Sequence, residues 1–207
     1  SFNTNQIRLG VRFKYFNPVA NLGQELYGKT LGIFGLGRIG YEMAIKCQAA
    51  YQMPIIYHNR NRNEEMEEKL NAKYVSFEEL LAQSDVLSIH ANYSPEYLGH
   101  FDAKAFNQMK PNSILINTAR GGFIDEDDLN QALIDGKVWG AGLDVTNPEP
   151  MLPDNPLLKH ERVCVLPHIG SATIEARSGM ARIAAENVVA FVEGKQLKTC
   201  LNPEVYK

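Results

Sequence analysis

The sequence predicts an α/β domain built on a doubly wound, mostly parallel sheet. Short, nearly all-apolar runs alternate with amphipathic segments along most of the 207 residues, and a glycine-rich turn joins the first run to the first amphipathic segment. Strands that are apolar on both faces are typical of a parallel sheet covered by helices on both sides. We therefore predict six or seven strands with helices on both faces.

The elements follow each other in regular alternation. Strands are predicted at residues 30–35, 53–58, 73–75, 85–91, 113–119, 139–145 and 162–167. Helices are predicted at 38–50, 63–72, 76–83, 102–109, 125–136 and about 173–193, where Gly194 ends the last one. Ser76 can cap its helix and Glu79 can complete a capping box. The proline-rich stretch 146–161 is a long irregular loop, which in a compact domain is usually functional.

The composition argues against several classes of protein. With 44% hydrophobic and 22% charged residues and a net charge of −3, the chain gives no reason to expect nucleic acid or a membrane as a partner. The three cysteines, Cys47, Cys164 and Cys200, are odd in number and widely spaced. We expect reduced thiols in a cytoplasmic protein, rather than disulfides or a metal site.

The glycine-rich turn has the spacing Gly35-x-Gly37-x-x-Gly40 between a predicted strand and a predicted helix. The first glycine permits the tight turn, the second lets backbone approach a pyrophosphate, and the third lets the helix pack on the strand. The helix N-terminus would face the anion. At this junction the pattern indicates dinucleotide binding, whereas glycines elsewhere often mark ordinary turns.

The end of the second strand bears on the choice of cofactor. An NAD site normally has an acidic residue there, which hydrogen-bonds the ribose 2′-hydroxyl. Here the sequence reads YHNRNRNEE, with Asn59, Arg60 and Arg62 before the first acid, Glu64. Guanidinium groups can bind a 2′-phosphate that a carboxylate would repel. We predict a preference for NADPH with NAD possible; the alternative is an exposed basic loop without a cofactor role.

Three further polar residues follow strand ends on the side where such sheets bind ligands. They are Arg120 after LINTA, Glu149 in GLDVTNPEP and His168 after CVLP. Each alone could be an ordinary solvated loop residue. Together they would suit reduction of a 2-keto acid, because Arg can bind its carboxylate, His can donate the proton and a carboxylate can orient the His.

Four segments together identify a family resemblance: GKTLGIFGLGRIG, LINTARGGFIDEDDL, AGLDVTNPEP and LPHIGSAT. They resemble the NAD(P)-binding, Rossmann-type domain of D-isomer-specific 2-hydroxyacid dehydrogenases, most closely glyoxylate/hydroxypyruvate reductases. The resemblance implies that Arg120 binds substrate, that His168 is the acid/base and that Glu149 is its partner. The cofactor contacts that it implies, with those from the residues above, are Gly35, Leu36, Gly37, Arg38, Ile39, Gly40, Asn59, Arg60, Arg62, Asn92, Thr118, Ala119, Asp144 and Gly170.

The sequence departs from this family in two places. Where the family usually has a threonine-rich turn, residues 92–101 read NYSPEYLGHF, so the contacts at Asn92 lie in a turn that departs from the family pattern. His90 and His100 fall near this turn, and we expect structural or solvated roles for them. The family's substrate domain is built mostly from its first hundred or so residues, which have no counterpart here, so the chain alone is expected to be folded but inactive.

The resemblance also implies a domain organisation. We predict a hinge or dimer-contact segment at 1–29, a dinucleotide-binding domain at 30–193 and a tail at 194–207 that returns toward a substrate domain. A homodimer is expected. Two alternatives remain: an NAD-dependent D-lactate or phosphoglycerate-type dehydrogenase, and a non-enzymatic NAD(H)-sensing module like the corepressors that resemble this family.

Overall fold

The computed structural model describes residues 18–19 and 22–206. The chain divides into two compact units between Pro167 and His168, and each unit is described by itself. The predicted contact segment 1–29 therefore lies mostly outside the described residues.

The first unit is built on a seven-stranded sheet in which every pairing is parallel. The strand order is β3-β2-β1-β4-β5-β6-β7, which reverses at β1 as in a doubly wound sheet. The predicted fold class is confirmed, with the higher of the two strand counts. The strands are β1 (Leu31–Phe34), β2 (Ile55–His58), β3 (Lys73–Tyr74), β4 (Val86–Ile89), β5 (Ser113–Asn117), β6 (Val138–Leu143) and β7 (Val163–Val165).

Five helices connect these strands and lie at the predicted places. They are α1 (Arg38–Tyr51), α2 (Glu64–Leu70), α3 (Phe77–Gln83), α4 (Ala103–Gln108) and α5 (Glu126–Ile134). The predicted capping box of α3 is present: Glu79 N–H donates to Ser76 Oγ at 3.1 Å, and Ser76 N–H donates to Glu79 Oε2 at 2.9 Å. Such a cap stabilises a helix by about 1 kcal/mol.

Two hydrophobic clusters pack on the sheet, and β1 contributes to both. Leu31 and Ile33 belong to one cluster, whereas Phe34 belongs to the other. Successive strand residues point to opposite faces, so an apolar β1 joins the helices on both sides. Burial of each such side chain contributes about 1.5–3 kcal/mol, which explains why the strands carry almost no polar residues.

The second unit begins at His168 and contains the long helix α6 (Ile174–Val192). Thr173 caps this helix, accepting a hydrogen bond from Ala176 N–H at 3.1 Å. A short 3₁₀ helix at Pro203–Tyr206 follows. Across residues 18–19 and 22–206, no helix is both long and apolar enough to cross a lipid bilayer.

Candidate active site and cofactor cleft

A cleft of about 790 Å³ lies in the first unit, where the chain leaves β1, β2 and β4. This volume falls within the range of about 300–1,000 Å³ that is usual for small-molecule sites. The cleft is at the carboxyl end of the strands and beside β1, where the strand order reverses. Of the predicted cofactor contacts, it is lined by Gly35, Leu36, Gly37, Arg38, Ile39, Asn59, Arg60 and Asn92.

The three glycines of the turn have distinct surroundings. Gly35 has φ +102°, and a β-carbon built there would lie 2.3 Å from the backbone nitrogen of Ala91. A β-carbon on Gly40 would lie 2.6 Å from the Gly35 carbonyl oxygen, so any side chain would push α1 off the turn. A β-carbon on Gly37 would meet nothing within 4 Å. The turn thus packs closely on the protein at two positions and is open at the middle one.

The N-terminus of α1 borders the cleft. The N–H of Leu36 donates to Asn59 Oδ1 at 2.6 Å, and the N–H of Gly37 donates to the Gly35 carbonyl at 2.9 Å. The next amides, of Arg38 and Ile39, are in the first helical turn, where N–H groups have no intrahelical acceptor. These two amides and the positive end of the helix dipole suit an anion.

The loop after β2 places its two arginines differently. Arg60 is exposed and lines the cleft, and the structure shows no ion pair for it within residues 22–206. Arg62 is outside the cleft lining and is paired with Glu67, with Nε to Oε1 and Nη2 to Oε2 both at 2.7 Å. The Asn59 side chain ties this loop to the glycine turn through Leu36.

The loop after β4 contributes His90 to the cleft lining. Its Nε2 lies 2.8 Å from Ser88 Oγ, and its Nδ1 lies 3.4 Å from Thr118 Oγ1. Burial lowers the pKa of His90 to about 4, so the imidazole is neutral near pH 7. Thr118, predicted beside the nicotinamide, is outside the cleft lining but is linked to it through His90.

Arg120 follows β5 and is exposed. Its Nη1 donates to the carbonyl of Ala119 at 2.6 Å, and its own carbonyl accepts from Asn117 Nδ2 at 2.9 Å. Within the described part of the chain no carboxylate lies within ion-pair distance of it. A buried Asn117 therefore fixes the backbone at this strand end, while the guanidinium remains available to an anion.

Glu149 lies in the loop that follows β6, the neighbour of β5 in the sheet. Asp144, predicted beside the nicotinamide, is buried at the start of this loop. Glu126 of α5 holds the loop from outside: Oε1 accepts from Asn147 N–H at 2.7 Å, and Oε2 accepts from Asn155 Nδ2 at 2.8 Å. The sequence analysis did not single out Glu126, although its place in the first turn of a helix beside RGGFID was visible.

His168 and Gly170 belong to the second unit. His168 is exposed and has φ +53°, in the left-handed region that favours glycine and that asparagine, aspartate and histidine adopt more often than other residues. It lies three residues beyond Val165, the last residue of β7. The structure thus brings together most of the cofactor set in one cleft, and distributes the catalytic set over strand ends of the first unit and the start of the second.

The sequence analysis did not assign to the site several residues that line the cleft, namely Phe34, His58, Asn61, Asn63, Met66, Ala91, Tyr93, Ser94 and Tyr97. It gave His90, which also lines the cleft, a structural or solvated role. The position of both histidines at the carboxyl ends of strands was a usable signal, since His58 is the last residue of β2 and His90 directly follows β4. The aromatic residues Tyr93 and Tyr97 lie in the segment that departs from the family pattern. Among the described residues no group of His, Cys, Asp or Glu could hold a metal ion.

Comparison with known proteins identifies the family. Residues 3–170 match the model of the D-isomer specific 2-hydroxyacid dehydrogenase NAD binding domain. The chain belongs to this family. It is 41% identical over 204 residues to glyoxylate/hydroxypyruvate reductase B of Shigella boydii, covering 96% of this chain and 63% of that relative.

Two solved structures of the family have the same fold as this chain. A glyoxylate reductase from Paecilomyes thermophila is 40% identical, with a TM-score of 0.84, 97% of this chain covered and 59% of that one. A D-lactate dehydrogenase with NAD+ from Lactobacillus jensenii is 26% identical, with a TM-score of 0.83 and coverages of 96% and 62%. The chain thus spans about three fifths of the length of these relatives.

Proposed function

We propose that this chain is the cofactor-binding and catalytic part of an oxidoreductase that reduces a small 2-keto acid, such as glyoxylate or hydroxypyruvate, to the D-2-hydroxy acid. The observation that carries the proposal is Arg120, an exposed guanidinium without a carboxylate partner in the described residues, at a strand end beside a cleft suited to a dinucleotide. The similarity to glyoxylate and hydroxypyruvate reductases supports the substrate class.

Each residue of the catalytic set has a role that its chemistry supports. When bound, the nicotinamide cofactor supplies the hydride. Arg120 binds the substrate carboxylate and the carbonyl oxygen, and stabilises the negative charge that develops there. His168 donates the proton to that oxygen, and Glu149 favours the protonated, correctly oriented imidazole. The residues that would contact the nicotinamide end are Asn92, Thr118, Ala119, Asp144 and Gly170.

The cofactor proposal is NADPH, with NADH as the second candidate. Open space at Gly37 and the amides of Arg38 and Ile39 suit the pyrophosphate, and Arg60 suits a 2′-phosphate. An NAD-dependent lactate-type enzyme is the alternative. It is favoured by the pairing of Arg62 with Glu67, which leaves one unpaired arginine at the ribose end, and by the NAD+ complex of the Lactobacillus jensenii relative.

Steady-state kinetics tests the proposal directly. We expect the protein, purified together with its substrate domain, to oxidise NADPH with glyoxylate or hydroxypyruvate and to prefer NADPH to NADH. Arg120→Ala should lower kcat/KM for the 2-keto acid on the order of 100-fold or more, since a charged, bidentate contact is lost. Arg120→Lys, which keeps the charge but not the fork, should lose less. Activity with pyruvate and NADH, but not with glyoxylate or hydroxypyruvate and NADPH, would favour the lactate-type alternative.

The proposal extends to assembly and compartment. We propose a homodimer, with residues 1–29 as a contact region, the dinucleotide-binding domain at 30–193 and the tail at 194–207 directed to a substrate domain. A cytoplasmic location is supported by Cys47, Cys164 and Cys200, which form no disulfide. Sedimentation at several concentrations tests the dimer, and a monomer at all of them would refute it.

A further inference from the structure

Arg62, which the sequence analysis assigned to the cofactor, is held by a carboxylate of the following helix. Nε and Nη2 of Arg62 donate to the two oxygens of Glu67, both at 2.7 Å. Two parallel bonds between a guanidinium and a carboxylate fix both position and orientation. The arginine side chain is 58% exposed, but that of Glu67 is only 13% exposed, so α2 carries the fixed member of the pair.

Glu67 is itself anchored to the sheet. The hydroxyl of Tyr57, a fully buried residue of β2, donates to Glu67 Oε1 and accepts from the N–H of Asn63 at 2.9 Å. The hydrogen bonds from Arg62 and Tyr57 lower the pKa of Glu67 to about 2, so the carboxylate is ionised at neutral pH. The negative charge of Glu67 therefore neutralises that of Arg62 in the loop after β2, where a 2′-phosphate would bind to positively charged side chains.

Arg62 differs from its neighbours in this loop. Arg60, Asn61 and Asn63 line the cleft, whereas Arg62 lies outside its lining. The Nδ2 of Asn63 also lies 3.3 Å from the carbonyl of Leu36 in the glycine turn, so the loop is tied to the cleft on one side of Arg62. Arg62 instead makes its two hydrogen bonds to Glu67, outside the lining of this cleft.

We infer that Glu67 is a specificity-determining residue: it withholds Arg62 from the cofactor, so that Arg60 alone meets the ribose end and the preference for NADPH is weaker than two arginines would give. This inference rests on the proposed NADPH preference. The group whose binding is affected is the 2′-phosphate of the dinucleotide. Glu67 does not contact this phosphate and affects its binding only by holding Arg62.

Glu67→Gln provides the decisive variant. The glutamine amide oxygen can still accept from Tyr57, but the charge that holds Arg62 is lost. We expect binding of NADPH to tighten three- to tenfold, while binding of NADH changes less than twofold. Adding Arg62→Ala to Glu67→Gln should abolish the gain, because the gain depends on the released guanidinium.

The measurement is titration of the purified protein with NADPH and with NADH, followed by cofactor fluorescence. Glu65→Gln is the matched control: it removes the same charge from α2, where Glu65 pairs with Lys69 at 2.6 Å, and should leave both affinities within twofold. If Glu67→Gln unfolds near the working temperature, Arg62→Lys replaces it. Lysine keeps the charge without the two-point bond and should also tighten NADPH selectively.

The outcomes separate the two proposals. Wild-type protein that binds NADH as tightly as NADPH refutes the cofactor preference, whatever the variants do. Wild-type protein that prefers NADPH, with no selective gain in Glu67→Gln or with the same gain in Glu65→Gln, refutes the role of Glu67. A loss of NADPH affinity of tenfold or more in Arg62→Ala also refutes it, since Arg62 would then already contact the phosphate.

Discussion

The cofactor cleft and the strand ends that carry the proposed catalytic residues are built differently. Around the cleft, loops from different strands hold each other: Gly35 packs on Ala91, Asn59 binds Leu36, and Glu67 holds Arg62. At the proposed catalytic edge, Arg120 is exposed, and its guanidinium donates to a backbone carbonyl, that of Ala119. The backbone there is held by Asn117, and the loop that contains Glu149 is held by Glu126. The cofactor cleft is therefore preorganised by contacts between its loops, whereas the guanidinium of Arg120 remains open to an anion.

The largest expected effect is on kcat and comes from a proposed catalytic residue, His168. His168→Ala should lower kcat for 2-keto acid reduction by about 10²–10⁴-fold, because a positioned general acid contributes that much. Stopped-flow or steady-state kinetics measures it, and an NADPH titration of the variant reports whether the cleft still binds. Reduction within tenfold of wild type would remove His168 from the mechanism.

Two glycines of the same turn, Gly35 and Gly37, should differ in their effects on stability and on cofactor binding. Gly35→Ala should lower the free energy of unfolding by about 3 kcal/mol, because the methyl group meets Ala91 backbone and the residue must keep a positive φ. Gly37→Ala, whose methyl meets nothing within 4 Å, should leave stability almost unchanged yet weaken NADPH binding. Urea unfolding and cofactor titration of both variants test this, and equal destabilisation by both would contradict it.

The partly buried His90 makes stability depend on pH. Its pKa is near 4 in the folded chain against 6.5 when unperturbed, so between these values only the unfolded chain binds the proton. Stability should be full above pH 6.5 and should fall, by at most about 3 kcal/mol, as the pH drops toward 4.

Urea unfolding at pH 7.5 and pH 5 measures this loss, and His90→Asn is the comparison. The variant should lose less stability between these two pH values than the wild type does. An equal loss in both proteins would show that other groups cause the acid sensitivity.

The smallest expected effect comes from substitution of Glu126, which holds the loop that contains Glu149. Glu126→Ala removes the acceptor of Asn147 N–H and Asn155 Nδ2 and should cost about 1–2 kcal/mol of stability. Because the loop is then less ordered, kcat should fall severalfold while NADPH affinity stays within twofold. Glu126→Gln, which keeps one acceptor, should have a stability and a kcat between those of the wild type and Glu126→Ala. Equal losses in kcat and cofactor affinity would contradict a local role.

The fold was predictable because its signals are local. An apolar β1 followed by Gly35, Gly37 and Gly40 and by α1 predicted the parallel sheet and the cleft, and the capping box of Ser76 and Glu79 predicted the start of α3. The pairing of side chains in three dimensions was not predictable from the sequence. Arg60 and Arg62 look equivalent in the sequence, but Glu67 holds one of them outside the cleft.

The sequence by itself therefore determined the order of the elements, the glycine turn and the family, because periodicity and short motifs are properties of neighbouring residues. Only the tertiary structure decided which side chains share a cleft. His90 illustrates the difference: its pKa depends on burial against elements distant in the chain, and Glu126 reaches a loop 21 residues away. Charge pairing and desolvation depend on distances in space, and the sequence does not contain them until the chain has folded.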